Sequence, residues 1–195
     1  MASLFKIDVG NIECYVEDFY NSRNNLLGEI PTLYGGDCHF KYQNSIFLSY
    51  TEDLFDLGLQ TYLWLSYLSE GDHLVKFSMF ASGTENPTFE FVKNEDQWQF
   101  FIGEDVPGLK YIQYSLNTPS IPHDEFIRGL YEFVEIAQWR LKKHKVASPF
   151  TFEEFLIYLK DKELEEKSWY ERVYEKSFLP YCKGIGPRPA YGPTI

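Results

Sequence analysis

PHDEFIRGLYEFVEIAQWRLKKHK, residues 122–145, is the stretch that decides the fold, because its hydrophobic residues recur at spacings of three and four. At 3.6 residues per turn, that spacing places them in one stripe along a helix. Pro122 suits a first helical turn, and Asp124 and Glu125 complement the positive end of the helix dipole. The stretch therefore predicts an amphipathic helix that needs a partner surface. Its apolar stripe comprises Phe126, Leu130, Phe133, Val134, Ala137 and Leu141.

The residues before this helix predict the sheet that the stripe covers. Short runs rich in aromatic and β-branched residues are separated by turn-forming Gly, Asn, Asp and Ser. Sequential strands with short links favour an antiparallel meander, and we expect four to six strands. Gly129, in the middle of the helix, suggests a close approach to a strand. The candidate segments for these strands are residues 4–9, 39–42, 46–50, 74–81, 88–92, 97–102 and 109–116.

Residues 51–68, TEDLFDLGLQTYLWLSYL, change to a helical period and predict a second helix. Thr51 suits the residue that caps a helix start, although Gly58 and the aromatic residues leave a strand open for the second half. After Lys145, residues 151–162 and 163–178 predict a helical C-terminal extension. The last seventeen residues hold four prolines and three glycines, so we expect no regular element there.

The chain of 195 residues fits a single domain of the α+β class. Residues 1–121 form a β-rich part with one helix, residues 122–178 a helical part, and residues 179–195 a Pro/Gly-rich tail. No run reaches the about 18 apolar residues of a membrane helix, and the first residues lack the features of a signal peptide. Cys14, Cys38 and Cys182 form no C-x-x-C pair, which argues against a zinc site or disulfide framework. We therefore expect a soluble, cytoplasmic protein that makes no membrane contact.

The net charge of −11 is concentrated in the middle of the chain, where residues 52–105 carry eleven acidic and two basic side chains. Such a surface disfavours direct binding to nucleic acid, whose phosphates need clustered Lys and Arg. It favours a basic protein partner, or else serves only solubility. We predict a binding face made of acidic residues with Trp64 or Trp98 as an aromatic anchor. The acidic residues are Glu52, Asp53, Asp56, Glu70, Asp72, Glu95, Asp96, Glu104 and Asp105.

The sequence offers little that resembles a catalytic or metal site, and we expect no enzymatic activity, no cofactor and no metal. Asp37, Cys38 and His39 cluster, but neighbours on a strand point to opposite faces and cannot act together. Paired carboxylates such as those of Glu52 and Asp56 keep a small hydrolase open as an alternative.

The β-rich front, the acidic middle from Glu52 to Asp105 and the late helix DEFIRGLYEFVEIAQWRL resemble a group of known proteins. These are the small acidic immunity proteins that bacteria encode beside polymorphic or contact-dependent toxins. The resemblance spans residues 4–141 and implies a non-enzymatic inhibitor that binds one basic toxin, such as a nuclease. A structural subunit that uses residues 146–195 to join a larger assembly is the other alternative, and the oligomeric state stays open.

Overall fold

In a computed structural model, the chain is described at residues 3–14, 34–79, 87–103, 112–143, 152–153 and 179–184. These residues form an α+β fold with antiparallel strands, which confirms the predicted class. A helix at His123–Lys143 begins one residue after Pro122 and confirms the predicted amphipathic helix. The elements are β1 (Phe5–Cys14), β2 (Tyr34–Tyr42), β3 (Ser45–Asp53), α1 (Leu54–Ser69), β4 (Lys76–Met79), β5 (Phe89–Asn94), β6 (Gln97–Ile102), β7 (Ile112–Tyr114), β8 (Ser120–Pro122), α2 (His123–Lys143) and α3 (Leu179–Cys182).

The strands divide into two antiparallel sheets of four, ordered β1-β2-β3-β7 and β4-β5-β6-β8. The sequence suggested a single sheet of four to six strands. The division arises because β7 pairs with β3, in the register Leu48 opposite Tyr114, instead of following β6. Strand β8 takes the place beside β6, with Trp98 opposite Ile121. Alternation identifies a strand and its apolar face but does not specify its neighbour.

The β2–β3 hairpin confirms the predicted pair of strands around residues 43–45. Gln43 and Asn44 have φ angles of 49° and 68°, the left-handed conformation that a tight two-residue hairpin turn requires at both positions. Tyr42 and Ser45 pair on either side of the turn, so the hairpin closes directly after it. The predicted strand at residues 4–9 extends to Cys14 through a register irregularity between Val9 and Ile12.

The two sheets pack face to face through an aromatic core. Phe40 of β2 meets Phe89 of β5 edge-on at 5.3 Å between ring centroids, and Phe47 of β3 meets Phe100 of β6 at 5.8 Å. Both geometries are the tilted arrangements that aromatic pairs prefer. Many of the Phe side chains that the structure describes therefore lie in the layer between the sheets. The fully buried Phe side chains there include Phe5, Phe40, Phe77, Phe89 and Phe91.

Helix α2 joins this core through Phe126, which contacts rings from both sheets. Its centroid lies 5.1 Å from Phe5 of β1, 4.9 Å from Phe91 of β5 and 4.6 Å from Trp98 of β6. The rest of the predicted apolar stripe that the structure describes is buried as well. The predicted stripe is therefore confirmed, and Phe126 packs on the sheets as expected, whereas Ala137 faces Gly58 of α1.

Helix α2 also lies along β1, which is an edge strand of its sheet. A Cβ atom on Gly129 would lie only 2.5 Å from the backbone oxygen of Phe5, so this position has no room for a side chain. At one end of the contact, the backbone N–H of Leu4 donates to Glu125 at 2.7 Å, and at the other Arg140 donates to the backbone oxygen of Val9 at 3.3 Å. The helix thereby covers an edge that would otherwise be open to another strand.

The C-terminal extension contacts the body of the domain at two described places. Phe152 is buried beside Gly58 of α1, and its backbone N–H donates to the Gln138 side chain of α2 at 3.1 Å. Further along, the backbone oxygen of Cys182 accepts a bond of 2.8 Å from the N–H of Val75. Residues 154–178 and 185–195, which hold most of the predicted helices and tail, lie outside the described residues.

Part of the tail prediction is wrong, because residues 179–182 form a helical turn where no regular element was expected. Pro180 is compatible with this turn, since the first turn of a helix does not use the N–H that proline lacks. Leu179 and Cys182 are buried at the beginning of β4, and this burial outweighs the poor local propensity. Tertiary contacts therefore decide the conformation of this segment.

Candidate protein-binding surface on helix α2

The two tryptophans predicted as anchors are core residues. Trp64 exposes 1% and Trp98 0% of its surface. The indole N–H of Trp64 donates to the backbone oxygen of Lys76 at 2.7 Å, and that of Trp98 donates to Nδ1 of His123 at 3.0 Å. Neither indole is available to a partner in this structure, so their predicted role as anchors is corrected. Both indoles pack among other aromatic rings. The sequence pattern alone does not show whether such a tryptophan is buried or exposed.

Of the predicted acidic residues, four have side chains that the structure describes, and these lie in two turns. Glu70 is exposed in the turn after α1, and Asp72 is partly buried and paired with Lys183 at 2.6 Å. Glu95 and Asp96 are exposed in the β5–β6 turn. Side chains of Glu52, Asp53 and Asp56, and the whole of Glu104 and Asp105, lie outside the described part.

The outer face of α2 carries an aromatic ridge that the sequence analysis did not single out. Tyr131, Glu135 and Trp139 follow one another at intervals of four, so they lie in line along the helix. Trp139 exposes 57% of its surface, Tyr131 47% and the adjacent Ile136 39%. We call Tyr131, Glu135, Ile136 and Trp139 the α2 ridge. Large apolar side chains with this exposure, flanked by carboxylates, are typical of a protein-binding surface.

The guanidinium of Arg140 packs over the indole ring of Trp139. Its guanidinium carbon lies 5.5 Å from the indole centroid, within the range of a cation–π contact. The same guanidinium donates to the backbone oxygen of Val9, so it is fixed to strand β1. Trp139 therefore has a neighbour that restricts its motion, and a partner that binds the indole loses less side-chain entropy.

Beside the ridge, a groove of about 560 Å³ lies between the end of α1 and the first turns of α2. Its apolar lining comes from Leu68, Ile127 and Tyr131. Its polar lining comes from His123, Asp124, Arg128, Glu132 and Glu135. We call this depression the α2 groove. It shares Tyr131 and Glu135 with the ridge, so the two features form one surface.

His123 is the neutral member of the groove's polar lining. Its Nδ1 accepts the indole N–H of Trp98, and its ring stacks on that indole at 6.0 Å. Burial, and then the positive charge of Lys93, lowers the pKa of His123, while Asp124 and Asp96 oppose the shift. A protonated Nδ1 could not accept the indole bond, so the hydrogen bond also favours the neutral ring. Asp96, a predicted binding residue, is thus placed near the groove.

Arg128 is partly neutralised by a carboxylate outside the groove lining. Its guanidinium lies 3.3 Å from Oε1 of Glu125, one turn earlier on the same helix. The bond from the Leu4 backbone N–H, together with Ser3 and Arg128, lowers the pKa of Glu125 and keeps it charged. The remaining carboxylates of the groove, on Asp124, Glu132 and Glu135, therefore give the surface a negative potential.

The residues considered for catalysis lie on β2, away from α2. Cys38 is buried, and burial followed by the charge of Asp37 raises the pKa of its thiol to about 12. His39 contacts the Ser49 hydroxyl at 2.9 Å, and the carboxylate of Asp37 accepts a bond of 2.7 Å from Thr51. The Asp37 carboxylate and the His39 ring thus each bond across the hairpin, and Asp37 accepts from Thr51 instead of orienting His39. In the described residues, no group of three or more His, Cys, Asp or Glu side chains could hold a metal ion.

No protein-family model, curated protein or solved structure matches the chain. Of the helices that the structure describes, none has the length and apolar character needed to cross a membrane. We therefore infer function from the α2 ridge and the α2 groove.

The sequence did contain a signal for the ridge. Tyr131 and Trp139 lie on the side of the predicted helix opposite its apolar stripe, where a soluble helix normally carries polar residues. A projection of residues 122–145 around the helix axis would have identified them. The groove gave no such signal, because it also requires Leu68 from a distant part of the chain.

Proposed function

We propose that the protein is a binding module whose α2 ridge and α2 groove dock a basic protein partner. The observation that carries this proposal is the exposed indole of Trp139, aligned with Tyr131 on the outer face of α2 beside the carboxylate of Glu135. Binding interfaces concentrate their energy in such aromatic anchors, with charged residues around them that set partner choice. The net charge of −11 adds long-range attraction for a positively charged surface.

The size of the anchor is sufficient for a binding hot spot. An indole side chain offers about 200 Å² of surface, so covering the exposed part of Trp139 would remove about 110 Å² from water. At about 25 cal/mol per Å², this burial stabilises a complex by about 3 kcal/mol, or roughly a hundredfold in Kd. A single substitution at Trp139 should therefore have a measurable effect.

The resemblance to acidic bacterial immunity proteins gives this proposal its most concrete form. In that form, the partner is a toxin such as a nuclease, whose substrate-binding cleft is basic because it receives nucleic acid. An acidic surface with an aromatic anchor can occupy such a cleft and prevent the substrate from entering. Inhibition then requires tight binding alone, with no chemical step by this chain.

The experiment that tests the proposal is affinity capture from a lysate of the source organism, followed by a growth assay. Wild-type protein is used as bait at low and at high salt, and each captured protein is then expressed with and without this chain. We expect one basic protein that is enriched at low salt and that arrests growth unless the chain is present.

Two controls connect the result to the α2 surface. The Trp139→Ala bait should lose the partner, whereas Phe101→Ala, which removes an exposed aromatic residue from strand β6, should retain it. Capture of a set of neutral subunits would favour a structural role instead. Capture of no basic protein, or a partner that is harmless when expressed alone, would contradict the immunity function.

A further inference from the structure

The α2 groove combines three features that together suit one long cationic side chain. Leu68 and Ile127 are partly buried against the core and provide an apolar surface along one side. Lysine and arginine carry three or four methylene groups behind their charge, and these stems pack on apolar surface while the charged end stays among polar groups. The groove therefore offers a place for the stem as well as for the charge.

The aromatic ring of Tyr131 lines the same groove and exposes 47% of the residue's surface. An ammonium or guanidinium group within about 6 Å of such a ring is attracted by its electron-rich face. The contact between Arg140 and Trp139, two turns further along α2, shows the same type of interaction within this helix. Tyr131 belongs to both the ridge and the groove, so its ring can contact a cation that enters the groove.

The charges around the groove favour a cation. Asp124, Glu132 and Glu135 contribute carboxylates, whereas the charge of Arg128 is balanced by its contact with Glu125 outside the groove lining. His123 accepts the Trp98 indole N–H through Nδ1, which is the arrangement of an uncharged ring. A volume of about 560 Å³ is within the range of small-ligand sites.

From this geometry, we propose that the α2 groove receives a single lysine or arginine side chain of the docked partner. This inference rests on the proposed function and deepens it, because it specifies the chemistry that the partner must present. The stem lies against Leu68 and Ile127, the charged group lies over Tyr131, and Glu132 and Glu135 bind its N–H donors. The ridge then supplies most of the affinity, and the groove selects the partner residue.

The test uses small mimics of the side chain, so it does not require the partner. The full chain, labelled for NMR, is titrated with n-butylammonium and n-butylguanidinium, and with n-butanol as an uncharged control. We expect saturable shifts of the Leu68, Ile127 and Tyr131 signals with the two cations, half-saturating on the order of 1–10 mM. Butanol should give no saturable shift. A lower half-saturating concentration for one cation shows whether the groove prefers the lysine-like or the arginine-like group.

Matched double variants separate the groove from general charge. Glu132→Gln with Glu135→Gln should weaken cation binding about fivefold or more, since it removes two charged contacts. Asp8→Asn with Glu153→Gln removes the same number of charges elsewhere and should bind like wild type. The inference is overturned if neither cation gives a saturable shift at the groove, or if both double variants bind alike. Either failure would leave the capture result with Trp139→Ala unaffected, so the two proposals can fail separately.

Discussion

On the inner face of helix α2, Phe126 contacts rings from both sheets, whereas on the outer face Trp139 exposes 57% of its surface. Both faces carry large aromatic side chains on one rigid element. The difference is exposure: the inner ring is buried, whereas the outer indole presents more than half of its surface to solvent. Aromatic content alone therefore says little about function until each ring is assigned to one of these two faces.

The largest effect should come from the inner face. Phe126→Ala removes a ring that lies within 5.1 Å of three others, and we expect a loss of about 3–5 kcal/mol in the free energy of unfolding. Such a loss is a large fraction of a typical domain stability of about 5–15 kcal/mol. Urea denaturation followed by circular dichroism measures it. Tyr131→Ala, on the outer face of the same helix, is the control and should change stability by about 0.5 kcal/mol or less. Equal losses of unfolding free energy in the two variants would show that the inner and outer faces of α2 contribute equally to stability.

A smaller effect is expected at Gly129, where α2 touches β1. Alanine is the better helix former by about 1 kcal/mol, but its methyl group would lie 2.5 Å from the Phe5 oxygen. We expect the clash to prevail and Gly129→Ala to destabilise the protein by about 1–3 kcal/mol in the same denaturation experiment. Glu135→Ala raises helix propensity on the exposed face and should be neutral within about 0.5 kcal/mol. A stabilising Gly129→Ala would mean that helix and strand are further apart.

At the boundary between the two faces, His123 should make stability depend on pH. Its folded-state pKa lies below the ordinary 6.5, so between these values the unfolded chain binds more protons and stability falls as pH falls. Lys93 lowers this pKa in addition to burial, whereas Asp96 and Asp124 raise it. We expect His123→Gln to reduce the loss of thermal stability on going from pH 7 to pH 5. An unchanged pH profile would exclude His123 as a contributor.

Glu125 should give a weaker dependence at lower pH. Its bond from the Leu4 backbone N–H lowers its pKa below the ordinary 4.5, so the stability that it contributes is present above pH 4.5 and is lost as pH falls further. Glu125→Gln should have a lower melting temperature than wild type at pH 7. The difference should become smaller as the pH is lowered below 4.5. A constant difference across this range would assign the effect to hydrogen bonding that does not depend on charge.

The sequence predicted the elements of this fold better than their arrangement. The stripe on residues 122–145, the β2–β3 hairpin and the close approach at Gly129 were all visible in local patterns, because each depends on residues near in the chain or on the periodicity of one element. The division into two sheets depends on the pairing of β7 with β3, which lie more than sixty residues apart. No local pattern encodes that choice.

For the proposed binding surface, the sequence selected neither the carboxylates nor the aromatic residues of helix α2. Trp64 and Trp98 lie in the acidic middle of the sequence, and this neighbourhood suggested an exposed anchor. Their rings instead contact each other at 5.7 Å inside the core. Trp139 lies outside the acidic middle and was found only through its exposure on α2. The position of acidic residues along the sequence therefore does not show which aromatic residues lie on the same surface of the fold.

The most direct test is the affinity of the captured partner for two variants that each replace an exposed aromatic side chain by alanine. Isothermal titration calorimetry would compare Trp139→Ala, on the α2 ridge, with Phe101→Ala, on strand β6. The account predicts a Kd weakened by roughly a hundredfold for Trp139→Ala and by less than about threefold for Phe101→Ala, with both variants folded. A Kd that is unchanged in Trp139→Ala, or weakened equally in both variants, would contradict the assignment of binding to the outer face of α2.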